Sequence, residues 1–183
     1  MERSLLVGGF GGQGIMVIGQ LLSYTAVEQT EKFVTFFPSY GSEQRGGTAN
    51  CYVVISDEPI GAPHGSVMDD VMVLNDPSML KFESIIRPGG ALFVNSTIVT
   101  TPPKRTDITV INVPATEIAD KIGNARVANL AMVGAYIGYS DLLPPDKVLA
   151  TTFEKLGSKR PQLNPLNQDA FEQGLAIGKA AKK

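Results

Sequence analysis

The sequence predicts a three-layer α/β/α domain built on a mostly parallel sheet. Short apolar runs of strand length alternate along the chain with stretches of helical spacing. Gly, Pro and Asn-Asp-Pro segments separate them. The chain has 183 residues, 43% of them apolar and 19% charged, which is the size and composition of one globular core. We therefore expect a single domain spanning residues 1–183.

The elements follow in order. Ser4-Leu5-Leu6-Val7, ended by Gly8-Gly9, reads as a buried strand. Residues 13–28 turn helical, with Ile15, Ile18, Leu22 and Ala26 on one face at spacings of three and four. Phe33-Val34-Thr35-Phe36-Phe37 is the next strand, with Pro38 as its stop. Together these form a strand–helix–strand unit, for which a parallel pair with a right-handed crossover is the default. Residues 48–56 form a strong strand after a polar, Gly-rich loop, and Asp57-Glu58-Pro59 turns it. Val71-Met72-Val73-Leu74 is a further strand. Asp76 as N-cap and Pro77 at the first helical position then open a helix that ends before Pro88-Gly89-Gly90. Ala91-Leu92-Phe93-Val94 and Thr109-Val110-Ile111-Asn112-Val113 complete the strands. The last third is helical: residues 117–122 capped by Thr116, an apolar helix over 125–139, a helix from Pro145 or Asp146 to Leu156, and a final one capped by Asn164-Pro165.

Composition excludes several functions. A net charge of −2 disfavours non-specific binding of nucleic acid through a strong positive field. The single cysteine, Cys51, permits no intrachain disulfide, and one Cys with one His builds neither a structural zinc site nor an iron–sulfur cluster. We expect no metal site. Cys51 reads as a buried small hydrophobe. His64 sits beside Pro63 in a Gly/Pro-rich loop and reads as a loop residue rather than a catalytic base. The N-terminus lacks the apolar region and cleavage site of a signal peptide, and the most apolar later stretch is too short to span a bilayer. A cytoplasmic protein with no membrane partner is expected.

Two segments carry chemistry. The first is Gly8-Gly9-Phe10-Gly11-Gly12-Gln13-Gly14, between the first strand and the first helix. Gly9, Gly11 and Gly14 satisfy G-x-G-x-x-G, which gives the fold a Rossmann-like start. Glycines allow a tight turn and close approach, and free N–H groups at the helix start favour an anion. A nicotinamide dinucleotide site also needs an acidic residue at the end of the second strand. Here that strand ends Phe37-Pro38-Ser39, and Glu28 and Glu31 precede it. Ordinary dinucleotide binding is therefore disfavoured. A turn shaped only by packing, an anionic cofactor, or a partner backbone all remain open. The second segment is Pro38-Ser39-Tyr40-Gly41-Ser42-Glu43-Gln44-Arg45-Gly46-Gly47. It gathers a carboxylate, a guanidinium, a phenol and hydroxyls where α/β ligands bind. Arg45 beside bare backbone suits phosphate or carboxylate, although an Arg45–Glu43 surface pair is the plainer alternative.

Gly9-Phe10-Gly11-Gly12-Gln13-Gly14 together with Pro38-Ser39-Tyr40-Gly41-x-Glu43-x-Arg45-Gly46-Gly47 resembles the gamma subunit of 2-oxoacid:ferredoxin (acceptor) oxidoreductases. The resemblance runs from Leu5 to about Gly178 and takes in Asp57-Glu58-Pro59-Ile60 and Arg87-Pro88-Gly89-Gly90. Thr48-Ala49-Asn50 is more similar to the 2-oxoglutarate or branched-chain 2-oxoacid type than to the pyruvate type. The resemblance implies one catalytic domain of a heteromeric enzyme. Such enzymes decarboxylate a 2-oxoacid oxidatively with thiamine diphosphate and Mg, pass electrons through iron–sulfur clusters to ferredoxin, and give the acyl group to coenzyme A.

The residues fit a part of that machine. The chain lacks cluster cysteines and the Gly-Asp-Gly…Asn pattern of thiamine enzymes, so those groups belong on alpha, beta and ferredoxin-like delta partners. The expected cofactor-facing residues are Gly9, Gly11, Gly12, Gln13 and Gly14 with Ser39, Tyr40, Glu43, Arg45, Gly46 and Gly47. The first-turn amides and Arg45 would face coenzyme A or the thiamine-binding neighbour. Glu43 would orient Arg45, and Ser39 and Tyr40 would shape the loop. No catalytic residue is assigned. The competing readings are an indolepyruvate oxidoreductase subunit, a stand-alone nucleotide-binding regulatory module, and a scaffold chain. Apolar surface left bare without partners would make a homodimer of the isolated chain plausible.

Overall fold

A computed structural model describes residues 1–40, 48–63, 65–158 and 160–182. Six strands form one sheet: β1 (Glu2–Phe10), β2 (Phe33–Tyr40), β3 (Thr48–Ser56), β4 (Met68–Val73), β5 (Ile86–Asn95) and β6 (Thr109–Val113). Their order is β2-β3-β1-β4-β5-β6. β1, β4, β5 and β6 pair in parallel, and β3 runs antiparallel to both β1 and β2. The helices are α1 (Ile15–Gln29), α2 (Asp76–Phe82), α3 (Ala115–Ile122), α4 (Ala128–Ser140), α5 (Pro145–Thr152) and α6 (Asn164–Ala180).

Residue alternation along the strands sorts the core into two faces. Leu5, Val7, Cys51, Val53, Met72 and Phe93 point to the side covered by α1, α3, α4, α5 and α6. Leu6, Val71, Val73 and Leu92 point to the other side, where Met79 and Phe82 of α2 meet them. The expected three layers are present, with unequal thickness.

The expected β1–β2 pair is corrected. β1 and β2 run in the same direction, but β3 lies between them and hydrogen-bonds to both. Pro38 does not stop β2. It continues the strand in register with Cys51, and it is tolerated because β2 is an edge strand whose outer N–H positions need no partner. Asn75, not Asp76, caps α2: its Oδ1 accepts the Ser78 N–H at 2.8 Å. Asp76 lies in the first helical turn and accepts the Thr100 and Thr101 amides at 3.0 and 2.7 Å. Thr116 lies inside α3, where its hydroxyl accepts Asn95 Nδ2 at 3.0 Å rather than capping the helix. Arg87 to Gly90 are not a free turn but belong to β5, with Gly89 at φ 78 and a register shift opposite β4. α5 ends at Thr152 and passes into a π-helical turn over Phe153–Gly157. Asn164 is the first residue of α6 rather than its cap.

One charged pair is buried at the amino ends of the parallel strands. Arg3 donates twice to Asp70, at 2.5 and 2.9 Å, and Asp70 is fully buried. Burial pushes the Asp70 carboxyl upward, and the two guanidinium bonds oppose that shift. Asp69 beside it accepts Ser4 N–H at 2.6 Å and Ser4 Oγ at 2.9 Å. These contacts tie β1 to β4 at the end of the sheet away from the glycine-rich turn.

α4 and α6 cross at backbone contact. Gly134 and Gly138 on α4 face Gly174 and Gly178 on α6, a Gly-x-x-x-Gly spacing on each helix. A Cβ built on Gly134 would collide with the Phe171 carbonyl, and one on Gly174 with the Ala131 carbonyl. Neither obstacle is a side chain that can rotate away. Gly→Ala in a helix interior ordinarily stabilises by about 0.5–1 kcal/mol. Here the sign reverses: Gly174→Ala should destabilise by ~1–3 kcal/mol through overpacking, read as a lower urea midpoint at unchanged m-value.

Candidate functional site

The site is built at the carboxyl edge of the sheet. There the register places Gly9, Ala49 and Tyr40 at one level across β1, β3 and β2, and Gly8, Asn50 and Ser39 at the level below. The end of β2 thus lies at the same edge as the glycine-rich turn, two strand spacings away, or roughly 10 Å. Ser39 is half-buried and in register with Asn50. Glu43, Arg45, Gly46 and Gly47, and also His64, lie outside the described residues.

The glycines of the turn divide by what each position tolerates. A Cβ on Gly9 would fall 2.5 Å from Ile15 Cδ1 and 2.7 Å from Gln13 Oε1, so a side chain at Gly9 would displace Ile15 and the Gln13 amide. Gly14, at φ 81, begins α1, and a Cβ there would meet Asn129 Nδ2 at 2.6 Å. It is required by both backbone and packing. Gly12 has φ 97 with open space around it. Gly11 has neither a positive φ nor any atom within 4 Å of a Cβ. Nothing within the described chain requires Gly11 to be bare.

Gln13 has an internal task. Its Oε1 accepts the Phe10 N–H at 2.6 Å, and its Nε2 donates to the Leu74 carbonyl at 3.0 Å. Both ends of the amide strap the turn to the end of β4. Gln13 therefore positions the glycines and does not present a free amide.

On the β4 side of the turn a crevice of about 440 Å³ opens. Its floor is made by the segments that leave four parallel strands: Gly12, Gln13 and Gly14 after β1, Leu74 after β4, Asn95 ending β5, and Thr116 after β6. Arg126 and Asn129 stand over it from the start of α4, and Val17 and Ile98 add apolar wall. This is the place where an open α/β sheet holds ligands, outside the carboxyl ends of the strands where the chain changes direction along the sheet. The first-turn amides of α1 have no side-chain cap, and that turn carries no acidic residue; the first described in-helix bond here is Ile18 N–H to Gly14 O at 3.0 Å. No carboxylate lines the crevice among the described residues. The arrangement suits an anion.

The sequence reading missed four of these residues: Asn95, Thr116, Arg126 and Asn129. Asn124-Ala125-Arg126 was legible as a helix-start signal, since Asn124 Oδ1 accepts the Arg126 N–H at 3.0 Å. That signal puts a 3₁₀ turn (Ala125–Val127) ahead of α4. Asn129 carried no such signal, because its partner is a glycine more than a hundred residues earlier.

Cys51 is fully buried and burial pushes its thiol up to about 12, so it is unsuited to nucleophilic or ligand chemistry. Among the described residues, no three His, Cys, Asp or Glu side chains form a group that could hold a metal ion.

Residues 4–177 match the pyruvate ferredoxin/flavodoxin oxidoreductase family. The chain belongs to this family. It is 31% identical over 181 residues to the 2-oxoglutarate synthase subunit KorC of Methanocaldococcus jannaschii, covering 98% of this chain and 95% of that protein. It is 39% identical over 133 residues to the ketoisovalerate oxidoreductase subunit VorA of Methanothermobacter marburgensis, covering 73% of this chain. The chain spans only 27% of that relative. In fold it superposes on the keto/oxoacid ferredoxin oxidoreductase gamma subunit from Geobacter sulfurreducens, with a TM-score of 0.87 at 24% identity over 100% of this chain and 99% of that one. It also superposes on 31% of a chain of the 2-oxoglutarate:ferredoxin oxidoreductase from Magnetococcus marinus, with a TM-score of 0.89 at 22% identity over 98% of this chain.

The sorting of the glycines gives a paired expectation. Gly14→Ala should lower stability by ~1–3 kcal/mol, since it combines a strained φ with a collision. Gly11→Ala should leave the thermal midpoint of the isolated chain unchanged within about 1 °C, because it meets nothing there. A Gly11→Ala chain that unfolds early would show that the turn is shaped by internal packing alone.

Proposed function

We propose that this chain is the gamma subunit of a heteromeric 2-oxoacid:ferredoxin oxidoreductase and is inactive alone. The observation that carries the reading is the near full-length correspondence to KorC, in which this chain and that subunit match nearly end to end. The residues agree with a partial role. The one cysteine is buried and cannot hold a cluster, and the crevice offers amides and a guanidinium rather than an acid–base pair. Thiamine diphosphate, Mg and iron–sulfur clusters then sit on alpha, beta and ferredoxin-like delta partners, which also deliver electrons to ferredoxin. This chain closes part of the active-site wall and faces coenzyme A. No helix among the described residues is long and apolar enough to cross a membrane, which is compatible with a cytoplasmic complex.

2-Oxoglutarate is the favoured substrate on the KorC correspondence. A branched-chain 2-oxoacid is the second reading, and the higher identity to VorA over 133 residues favours it. Co-expression with the chains encoded beside it, followed by acyl-CoA formation from a panel of 2-oxoacids, tests both. The complex should turn over 2-oxoglutarate fastest, and this chain alone should turn over none. Turnover by the isolated chain would end the subunit reading, and preference for 3-methyl-2-oxobutanoate would select the second.

Arg45, with Glu43 orienting it, is proposed to face the coenzyme or the thiamine-binding neighbour. Arg45→Ala in the reassembled complex should raise the KM for coenzyme A about tenfold, the scale of one charge-assisted contact. Unchanged KM and kcat would remove Arg45 from the site.

A further inference from the structure

We infer that two copies of this chain pair antiparallel through the outer edge of β2, about a two-fold axis at Thr35, and join their six-stranded sheets into one. The inference does not rest on the subunit reading.

The edge itself is open. β2 ends the sheet, and no strand among the described residues pairs with its outer side. Edge strands are ordinarily blunted by charges, bulges or a covering element. Residues 33–40 carry no Asp, Glu, Lys or Arg, and β2 runs against β3 in unbroken register. Only Pro38 blunts it. Pro38 sits at an outer position, so by the two-residue alternation of a strand the N–H and C=O of Val34 and Phe36 also point outward.

That spacing is complementary to itself. With the axis at Thr35, Val34 lies opposite Phe36 of the second copy, and Phe36 opposite its Val34. Each pair then exchanges both of its backbone bonds, and Pro38 falls beyond them. The same register sets Phe33 opposite Phe37 of the second copy, once on each side of the axis. Both rings are 45% exposed on the face that α2 leaves bare, since α2 covers β1 and β4. Thr35 lies between them and donates to the Pro63 carbonyl at 2.8 Å, which brings the exposed Pro63 to the same seam. Facing aromatic pairs of this kind stabilise a sheet.

The opposite face fits the same partner. Tyr24 and Val27 of α1 stand exposed beside the edge, and with Val34 and Phe36 they line a cleft of about 330 Å³. The two-fold brings the cleft of one copy against that of the other. Glu28 in the cleft wall is paired with Lys155 at 2.8 Å, and Lys32 is paired with Asp57. Glu31 falls at opposite ends of the seam in the two copies, opposite Ser39. Like copies therefore meet without close like charges from these residues. An edge whose own residues complete it twice is the isologous arrangement of a two-fold dimer, and needs no second sequence. With three half-exposed aromatic rings, one valine and the strand backbone per copy, the two copies bury on the order of 1,000 Å² in all, the lower bound of a specific interface. A micromolar dimer is expected.

Sedimentation equilibrium of the full chain over roughly 5–200 µM tests this, a range that brackets the affinity expected of an interface this small. The chain should pass from monomer to dimer. Phe33→Lys should weaken the dimer at least about tenfold, because the substitution acts twice across the axis. Adding Phe37→Glu to Phe33→Lys places opposite charges face to face in this register and should recover most of the loss. Val27→Glu, on the exposed side of α1, should weaken the dimer from the other face, and it serves where a strand variant fails to fold by circular dichroism. A wild-type chain that stays monomeric, a dimer indifferent to Phe33→Lys and Val27→Glu, or a loss that Phe37→Glu does not recover in a folded chain overturns the inference. A monomeric wild type whose assembly with the chains encoded beside it is blocked by Phe33→Lys gives the edge to a partner subunit instead, which also overturns it.

Discussion

The backbone contact between α4 and α6 sets the geometry on which the site depends. Four glycines let the two helices approach until carbonyls of one lie where side chains of the other would begin. That closeness lets α4 seat its apolar length, Leu130 to Ile137, over the sheet while α6 closes behind it. The start of α4 then falls at the carboxyl edge, and Asn129 comes down on the bare Cα of Gly14. Any outward shift of α4 to relieve a crowded α6 would lift Asn129 and Arg126 away from the first turn of α1. A packing feature far from any chemistry thus fixes the roof of the crevice.

The glycine-rich turn is several devices in one segment. Gly9 makes room for Ile15 and for the Gln13 strap, and Gly14 makes room for Asn129. Those two are consumed by the fold. Gly12 supplies a left-handed φ, and Gly11 supplies bare backbone that the fold does not use. Reading all of them as one phosphate fingerprint hides this division. Only the positions left over after internal packing is satisfied are available to an outside group.

Much of the fold was legible in the sequence, for a physical reason. β3 and β6 have the bounds their β-branched and aromatic runs indicate, because burial on a pleated sheet selects those residues locally. The glycine-rich turn was legible because tight turns restrict residue type. What failed was strand neighbourhood. Direction and order are not written into a run such as Phe33–Phe37, which looks the same whether its partner is β1 or β3. The clue was the short connection from Tyr40 to Thr48: a parallel crossover takes a dozen or more residues, so a link this short favours an antiparallel neighbour. The Gly-x-x-x-Gly spacing at 134/138 and 174/178 was also visible, though the apolar pattern of α4 drew attention to burial rather than to closeness.

Insertion of β3 also explains an absence that chemistry alone left unexplained. In a dinucleotide fold the strand after the first helix lies beside the first strand, and its terminal carboxylate reaches the ribose. Here β3 occupies that place, running the other way, and the end of β2 is displaced by a further strand spacing. A carboxylate at Ser39 or Tyr40 would stand roughly 10 Å from β1, one strand spacing further than in the dinucleotide fold. The missing acid is therefore a consequence of topology. The same displacement moves the usable part of the turn to its other flank, where β4, β5 and β6 supply Leu74, Asn95 and the approach to Thr116. A dinucleotide-like turn can thus persist while the ligand it meets, and the side from which that ligand comes, are set by the strand inserted next to it.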